Sequence, residues 1–175
     1  ERTLPGTLRL RITESKPVAF ARTPELRAID ERGRVLPADP AAEGMDLPVL
    51  AVTTRLSAGG YAADSATIDI ARFLGVVSRS EPGLLGWISE VGMQRDAIRL
   101  VLRNTSDADV LLPAEPTPMR LRELHLTLAE LATPRFVEAT ARDTARMAAP
   151  DLARVRRIDG RFTDQIVVAL HAGKR

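Results

Sequence analysis

The sequence predicts an α+β domain in which a mostly antiparallel β-sheet is backed by two or three helices. Two observations lead to this fold class. Apolar and polar residues alternate in several short segments, as in half-buried strands, and apolar residues recur at every third or fourth position in two longer segments, as in amphipathic helices. These segments follow one another as strands, helix, strands, helix and strands, an order typical of α+β proteins.

The first third of the chain shows the strand period most clearly. Leu8, Leu10 and Ile12 alternate with arginine and threonine, so we expect one face of this segment to be buried. Pro17 cannot donate to a strand ladder and favours the start of a second strand. We therefore expect strands at residues 7–14 and 18–22, a hairpin at 26–36 with its turn at 30–33, and an irregular connection at 37–48.

The middle of the chain changes to the helical period. A helix is expected at residues 62–79, and Pro82 ends it because proline cannot continue a helix. Its apolar stripe consists of Ile68, Ala71, Leu74 and Val77. Strands are then expected at residues 84–93, 97–103 and 110–112.

The last third begins with a second predicted helix, at residues 118–132. Its apolar stripe consists of Leu121, Leu124, Leu128 and Leu131. Residues 135–149 have helical propensity but only a weak stripe, so we expect a short helix or an ordered loop there. Two extended segments, at 152–159 and 161–170, complete the sheet.

Composition limits the classes of function. The 175 residues suit one domain with a real core, and 45% apolar and 27% charged residues are close to the globular average. Arginine and acidic residues are interleaved and the net charge is only +2, which favours an ion-paired surface. Cysteine is absent, which excludes disulfides, thiolate nucleophiles and cysteine zinc sites. No apolar run reaches the roughly 18 residues that span a bilayer.

Catalytic and metal-binding groups are missing from the pattern. His125 lies two residues from Glu123, a spacing that points helical side chains apart, so we interpret it as a lone boundary histidine. His171 has no companion histidine in the C-terminal tail. The glycine-rich stretch at 57–60 lacks the lysine of a phosphate-binding loop. We therefore predict a protein that is not an enzyme, with no cofactor, no metal and no small-molecule substrate.

Nucleic-acid binding is also disfavoured. The arginine cluster near the C-terminus would divide between two strand faces, Arg157 and Arg161 on one and Arg154 and Arg156 on the other. Aromatic residues for base stacking are missing there except for Phe162. We predict no nucleic-acid partner.

Three segments, in order over nearly the whole chain, resemble the FtsQ/DivIB family of cell division proteins. The first, LPGTLRLRITESKPVAFA at 4–21, is similar to that family's turn, strand and Glu-x-x-Pro-Val-Ala step, without the usual Trp. The second combines residues 28–35 with Leu-Pro-Val-Leu at 47–50. The third is RIDGRFTDQIVVAL at 157–170, in which Gly160 departs from the family's usual Leu, a change that we expect to make this point more flexible.

The resemblance implies an inner-membrane protein with one membrane helix, followed by a POTRA domain and a β-domain on the periplasmic side of the division septum. By this alignment, residues 1–16 are the last strand of a truncated POTRA domain and residues 17–175 are the β-domain. The membrane helix would precede the present sequence.

The resemblance also implies partners and a site. Family members scaffold the division machinery by binding the FtsB/FtsL pair, with a partner segment adding a strand at the edge of the last strand. By resemblance, Arg161 matches a family arginine that pairs with a partner carboxylate, Phe162 matches an aromatic contact, and Leu170 takes the place of a Trp. From the residues themselves we expect Ile166, Val168 and Leu170 to share one face, and we add Asp164, Ile166, Val168 and, as a second charge partner, Arg95 to the predicted partner-binding residues.

Other interpretations of these residues remain open. Phe162, Ile166 and Val168 are equally compatible with the core side of a terminal strand, and Arg161 with an ordinary solvated charge. A different envelope assembly or interaction module of POTRA type is the alternative function, and an arginine-rich hydrolase with an unrecognised site is a third.

Overall fold

The computed structural model describes residues 2–3, 7–8, 10–38, 44–103, 105, 108–133 and 151–171. The strands are β1 (Arg2–Thr3), β2 (Thr7–Leu8), β3 (Pro17–Arg22), β4 (Leu26–Asp30), β5 (Val49–Thr53), β6 (Ile88–Gln94), β7 (Ala97–Leu102), β8 (Asp109–Pro113), β9 (Val155–Asp159) and β10 (Val167–Leu170). The helices are α1 (Ser65–Ser80) and α2 (Pro118–Ala132), and two 3-10 helices span Pro82–Trp87 and Asp151–Arg154.

Eight of these strands form one sheet, in the order β10-β9-β8-β7-β6-β5-β3-β4, while β1 and β2 pair separately. Within the described part of the sheet, four neighbouring pairs are antiparallel: β3–β4, β6–β7, β7–β8 and β9–β10. The pairs β3–β5, β5–β6 and β8–β9 are parallel. The predicted α+β class with a mostly antiparallel sheet is confirmed.

Helix α1 begins at an N-cap and ends before a proline. The Asp64 carboxylate accepts a hydrogen bond from the Thr67 amide at 2.7 Å, which satisfies one of the free donors of the first turn. The helix ends at Ser80, two residues before Pro82. Of the predicted stripe, Ala71, Leu74 and Val77 are fully buried, whereas Ile68 is only half-buried and Ile70 is buried in its place.

Helix α2 spans the residues that the sequence predicts. The Thr117 hydroxyl accepts from the Arg120 amide at 3.2 Å, and Pro118 occupies the first turn, where its missing N–H costs nothing. Leu121, Leu124 and Leu128 are fully buried.

Both helices pack on one face of the sheet, and their buried residues belong to one core cluster. Alternate residues of β7, namely Ile98, Leu100 and Leu102, face the helices in this cluster. Each such aliphatic side chain contributes about 1.5–3 kcal/mol by leaving water. A second, smaller cluster around Phe20 and Ala28 covers the opposite face of β3 and β4.

The predicted strand at residues 7–14 is wrong beyond Leu8. Residues 10–16 have no regular structure, and Leu10 and Ile12 are 72% and 88% exposed. No described strand pairs with this segment, so its alternating apolar residues have no neighbouring surface to bury them. Alternation predicts a strand only where a partner strand is present.

Other boundaries also differ from the prediction. Residues 84–87 are part of a 3-10 helix, so β6 starts at Ile88, and β5 was not predicted. The strand predicted at 161–170 is confined to β10, and residues 162–164 form a bend. The turn predicted at 30–33 is confirmed, with Gly33 at a φ of 73°.

Two further expectations concern residues 135–149 and the presence of a membrane-spanning segment. The helix or loop expected at 135–149 lies outside the described residues. Among the described residues, neither α1 nor α2 is long and apolar enough to cross a membrane.

Candidate functional site

Strand β10 lies at one end of the eight-stranded sheet. Among the described residues it pairs only with β9, in antiparallel register, with Val168 opposite Ile158 and Ala169 opposite Arg157. A bulge follows Ala169. The prediction that the C-terminal strand is an edge strand is therefore confirmed for Val167–Leu170.

The register determines which main-chain groups of β10 point away from the sheet. The Gly160 amide donates to the Leu111 carbonyl on β8 at 2.8 Å, so Ile158 and Gly160 direct their main-chain groups toward β8. Main-chain direction alternates along a strand, so Asp159 directs its groups toward β10. Val168, opposite Ile158, accordingly directs its N–H and C=O outward from the edge.

The side chains at this edge divide between the core and solvent. Ile166 and Val168 are partly buried against the main core, whereas Val167 and Leu170 are each 42% exposed. The alternative interpretation, that Phe162, Ile166 and Val168 are core residues of a terminal strand, therefore fits Ile166 and Val168 but not Phe162, which is 46% exposed. Leu170 lies opposite the buried Val155, on the same face as Val168, but keeps much of its surface in solvent.

Arg161 is held by a neighbouring carboxylate. Its Nε and one terminal nitrogen donate to the two oxygens of Asp159 at 2.9 and 2.6 Å. These side-chain hydrogen bonds hold the pKa of Asp159 below its ordinary value, although partial burial opposes them, and they raise the pKa of Arg161. The side chain is therefore oriented before any partner is present.

Arg95 and Arg161, the two candidate charge partners, converge in the structure. Both line a cavity of about 260 Å³, together with Arg157 and with Gln94, Asp96, Ala97 and Leu111. Arg95 reaches the cavity from the tip of the β6–β7 hairpin, where its φ of 58° is the left-handed conformation that tight hairpin turns use. Arg157 was not predicted as a site residue, although its predicted position on one face with Arg161 was a usable signal.

Phe162 and Asp164 lie in the bend that connects β9 to β10. Phe162 is 46% exposed and Asp164 is exposed. Gly160, just before the bend, is buried and hydrogen-bonded to Leu111, a tightly packed setting that contrasts with the flexibility expected there.

Arg120 on α2 is the functional candidate that sequence reasoning missed. It is 8% exposed, and its guanidinium donates to the carbonyl oxygens of Phe162 and Thr163 at 2.6 Å and of Gln165 at 3.3 Å. The signal was its position four residues before Leu124, which places a charge on the buried stripe.

The site can donate hydrogen bonds and attract negative charge. Within the described residues no group of three or more histidine and carboxylate side chains is placed to bind a metal ion. His125 is half-buried at the boundary, as predicted, and its Nδ1 lies 2.6 Å from a carboxylate oxygen of Glu81 across the helix pair. The open edge of β10 and the neighbouring arginine cavity together suit the binding of an extended, acidic polypeptide segment.

Comparison with known families gives a match over most of the chain. The family model described as "Cell division protein FtsQ/DivIB, C-terminal" matches residues 19–161, which is more than half of the chain. The match runs from β3 through β9 and ends at Arg161, at the start of the bend that leads to β10. No curated protein matches the sequence significantly. The matched region contains the two helices and seven of the eight strands of the large sheet, and the chain therefore belongs to the FtsQ/DivIB family of cell division proteins.

Proposed function

We propose that this domain is a non-catalytic scaffold of the bacterial division machinery that binds FtsB/FtsL-type partners by β-augmentation at β10, in support of septal peptidoglycan synthesis. The observation that carries the proposal is the open edge of β10, where Val168 directs its N–H and C=O away from the sheet. The domain would lie on the periplasmic side of the inner membrane. A single membrane helix would anchor it, with residues 1–16 as the end of a POTRA domain.

The two ends of the sheet are not equivalent. The outer side of β4 is already partly occupied by the returning arm of its own hairpin, since the Leu36 amide donates to the Ala28 carbonyl at 2.9 Å and the Asp30 amide to Arg34 at 3.0 Å. Among the described residues, β10 has no such cover on its outer side. An incoming strand is therefore expected at β10.

Exposed apolar side chains at this edge supply a surface for a partner strand. Phe162, Val167 and Leu170 each keep more than 40% of their surface in solvent. An added strand would cover part of this area, and burial of apolar surface contributes about 25 cal/mol per Å².

The arginine cavity suits an acidic side chain of the same partner segment. Three guanidinium groups, those of Arg95, Arg157 and Arg161, face Asp96 and Asp159, which leaves an excess of one positive charge. Asp159 occupies two of the five N–H donors of Arg161. The remaining donors can bind a partner carboxylate without breaking the existing pair.

Substitution of Val168 tests the proposal. In Val168→Pro the outward N–H is lost, while the ladder bonds to β9 come from its neighbours, and edge strands tolerate proline on their solvent side. Val168→Ala is the matched control, because it also shortens the partly buried side chain but keeps the N–H.

Titration of an FtsB-like peptide against each variant gives the result. We expect Val168→Pro to weaken binding by about tenfold relative to Val168→Ala, because one hydrogen bond is lost and the acceptor on the partner is left without its donor. Circular dichroism should show both variants folded. Equal affinity of the two variants would exclude main-chain pairing at this edge.

A further inference from the structure

Arg120 makes the contacts of a residue that fixes a loop. It lies in the first turn of α2, and its guanidinium reaches three carbonyl oxygens in the loop between β9 and β10, those of Phe162, Thr163 and Gln165. The carboxylate of Glu123, one turn further along α2, lies 2.8 Å from the same guanidinium and balances its charge.

Three carbonyl oxygens that point at one place repel one another unless a cation or several donors lie between them. The planar guanidinium supplies both, since it carries five donors in a fixed geometry and a permanent charge. Without the guanidinium, these main-chain acceptors of exposed residues would lose their charge-assisted hydrogen bonds to α2 and would bind water instead. The conformation of the loop therefore depends on Arg120.

The loop in turn determines where β10 begins. Strand β10 has four residues and, among the described strands, a single neighbour, so few ladder bonds hold it in place. Gly160 leaves room beside the arginine stem for only a small residue, because a Cβ there would already lie 3.7 Å from Cδ of Arg120, an ordinary contact, and 3.0 Å from Cδ2 of Leu112, a tight one.

We propose that Arg120 is a positioning residue that sets the edge strand β10 for an incoming peptide by holding the loop of residues 162–165 onto α2. The effect on peptide binding rests on the function proposed above, whereas the effect on β10 itself does not. Arg120 does not contact the peptide in this proposal, and it acts through the loop.

Hydrogen exchange on the full chain tests the positioning directly. In Arg120→Met, which keeps an unbranched buried stem but removes all donors, the amides of Val167 and Ala169 should exchange at least about tenfold faster than in the wild type. The amides of β7 in the centre of the sheet should exchange at the same rate as before. Arg122→Met is the matched control, since Arg122 is exposed on the same helix, and it should leave both regions unchanged.

Peptide titration separates positioning from general destabilisation. Leu128→Ala removes a fully buried side chain two turns along α2, about 12 Å from Arg120, and should lower global stability without changing peptide affinity. Arg120→Met should lower the affinity at least about tenfold, and Arg120→Lys, with one compact ammonium group, should fall between it and the wild type. If Arg120→Met does not fold, the comparison of Arg120→Lys with the wild type decides.

The outcomes are distinct. Unchanged exchange in β10, or an equal increase in β7 and β10, would overturn the proposal. If the wild-type protein does not bind the peptide, the proposed function is wrong. The exchange rates of Val167 and Ala169 would still decide whether Arg120 positions β10.

Discussion

Substitution of Gly160 by leucine, the residue usual at this point in the resembling family pattern, should destabilise this protein. Gly160 is buried, and its amide is bonded to the Leu111 carbonyl. The first added atom, Cβ, would already lie 3.0 Å from Cδ2 of Leu112, a contact that requires the neighbour to move. The three further carbon atoms of leucine would have to enter the space beside the stem of Arg120, whose Cδ is 3.7 Å from the same Cβ.

The size of the effect follows from two terms. Inserting extra carbon atoms into a packed region costs about 1–3 kcal/mol. If the insertion displaces Arg120, the acceptors of the 162–165 loop lose their donor, at about 1–3 kcal/mol. We therefore expect Gly160→Leu to lower the free energy of unfolding by about 2–6 kcal/mol. Gly160→Ala adds only the tight contact with Leu112. It should lower the free energy of unfolding by about 1 kcal/mol or less, because alanine reduces the conformational entropy of the unfolded chain and thereby offsets part of the cost of that contact.

Urea denaturation followed by circular dichroism measures these differences. Gly86 provides the control position, because a Cβ built there meets nothing within 4 Å, and Gly86→Ala should leave the unfolding free energy within about 0.5 kcal/mol of the wild type. A Gly160→Leu protein as stable as the wild type would refute the packing argument, and with it the role given to Gly160 in making space for Arg120.

Three further predictions concern acid stability, a buried hydroxyl pair and the edge strand. The pKa of Asp159 is held below 3.8 by hydrogen bonds from Arg161. The stabilisation from this pair is therefore complete above that pH and is lost as the pH falls through the lowered pKa. In acid titrations, the stability of the wild type should fall more steeply than that of Asp159→Asn. Thr54 and Thr67 share a buried hydrogen bond of 3.0 Å, so Thr67→Val should cost about 1–3 kcal/mol by leaving the Thr54 hydroxyl without this partner, while the double change to valine should cost less, which a double-mutant cycle of unfolding energies will test. Because Ile166 packs against the core, Ile166→Asp should lower both stability and peptide binding. Phe162 is largely exposed, so Phe162→Ala should lower peptide binding alone. Denaturation and titration of both variants test this, and a Phe162→Ala protein that unfolds more easily than the wild type would contradict it.

Helix α2 shows what can be predicted from the sequence. Its bounds, Pro118–Ala132, agree with the prediction because its signals are local: a threonine cap, a proline in the first turn and leucines at helical spacing. The α+β class was predictable for the same reason, since each element shows its own period.

The strand predicted at 7–14 shows where local signals fail. Leu10 and Ile12 alternate with polar residues as strand residues do, but burial requires a neighbouring strand, and none of the described strands pairs with this segment. Strand β5 is the opposite error, a strand that was not predicted. Its residues Val-Leu-Ala-Val-Thr favour a strand by composition, but they form a short run without strict alternation, which the period alone does not identify, and its parallel neighbours β3 and β6 come from distant parts of the chain.

The candidate site divides in the same way. The sequence suggested Arg161 by family resemblance and Arg95 only as a second charge partner, and their convergence on one cavity is a finding of the structure. The role of Arg120 depends on carbonyl oxygens 42 to 45 residues away in sequence, belonging to Phe162, Thr163 and Gln165. Main-chain acceptors carry no sequence signal, so only the buried position of an arginine on α2 pointed to them.

The C-terminal edge is held in place mainly by side chains that come from outside β10. Arg120 holds the loop before the strand, Asp159 holds Arg161 beside it, and the ladder to β9 covers only four residues. Among the described residues, such an edge keeps its outer main-chain groups free while its position is already determined. A partner strand would then bind without first ordering its template, and affinity rises when the ordering cost is removed in advance. Under the proposed function, the site would include residues such as Arg120 that do not touch the partner.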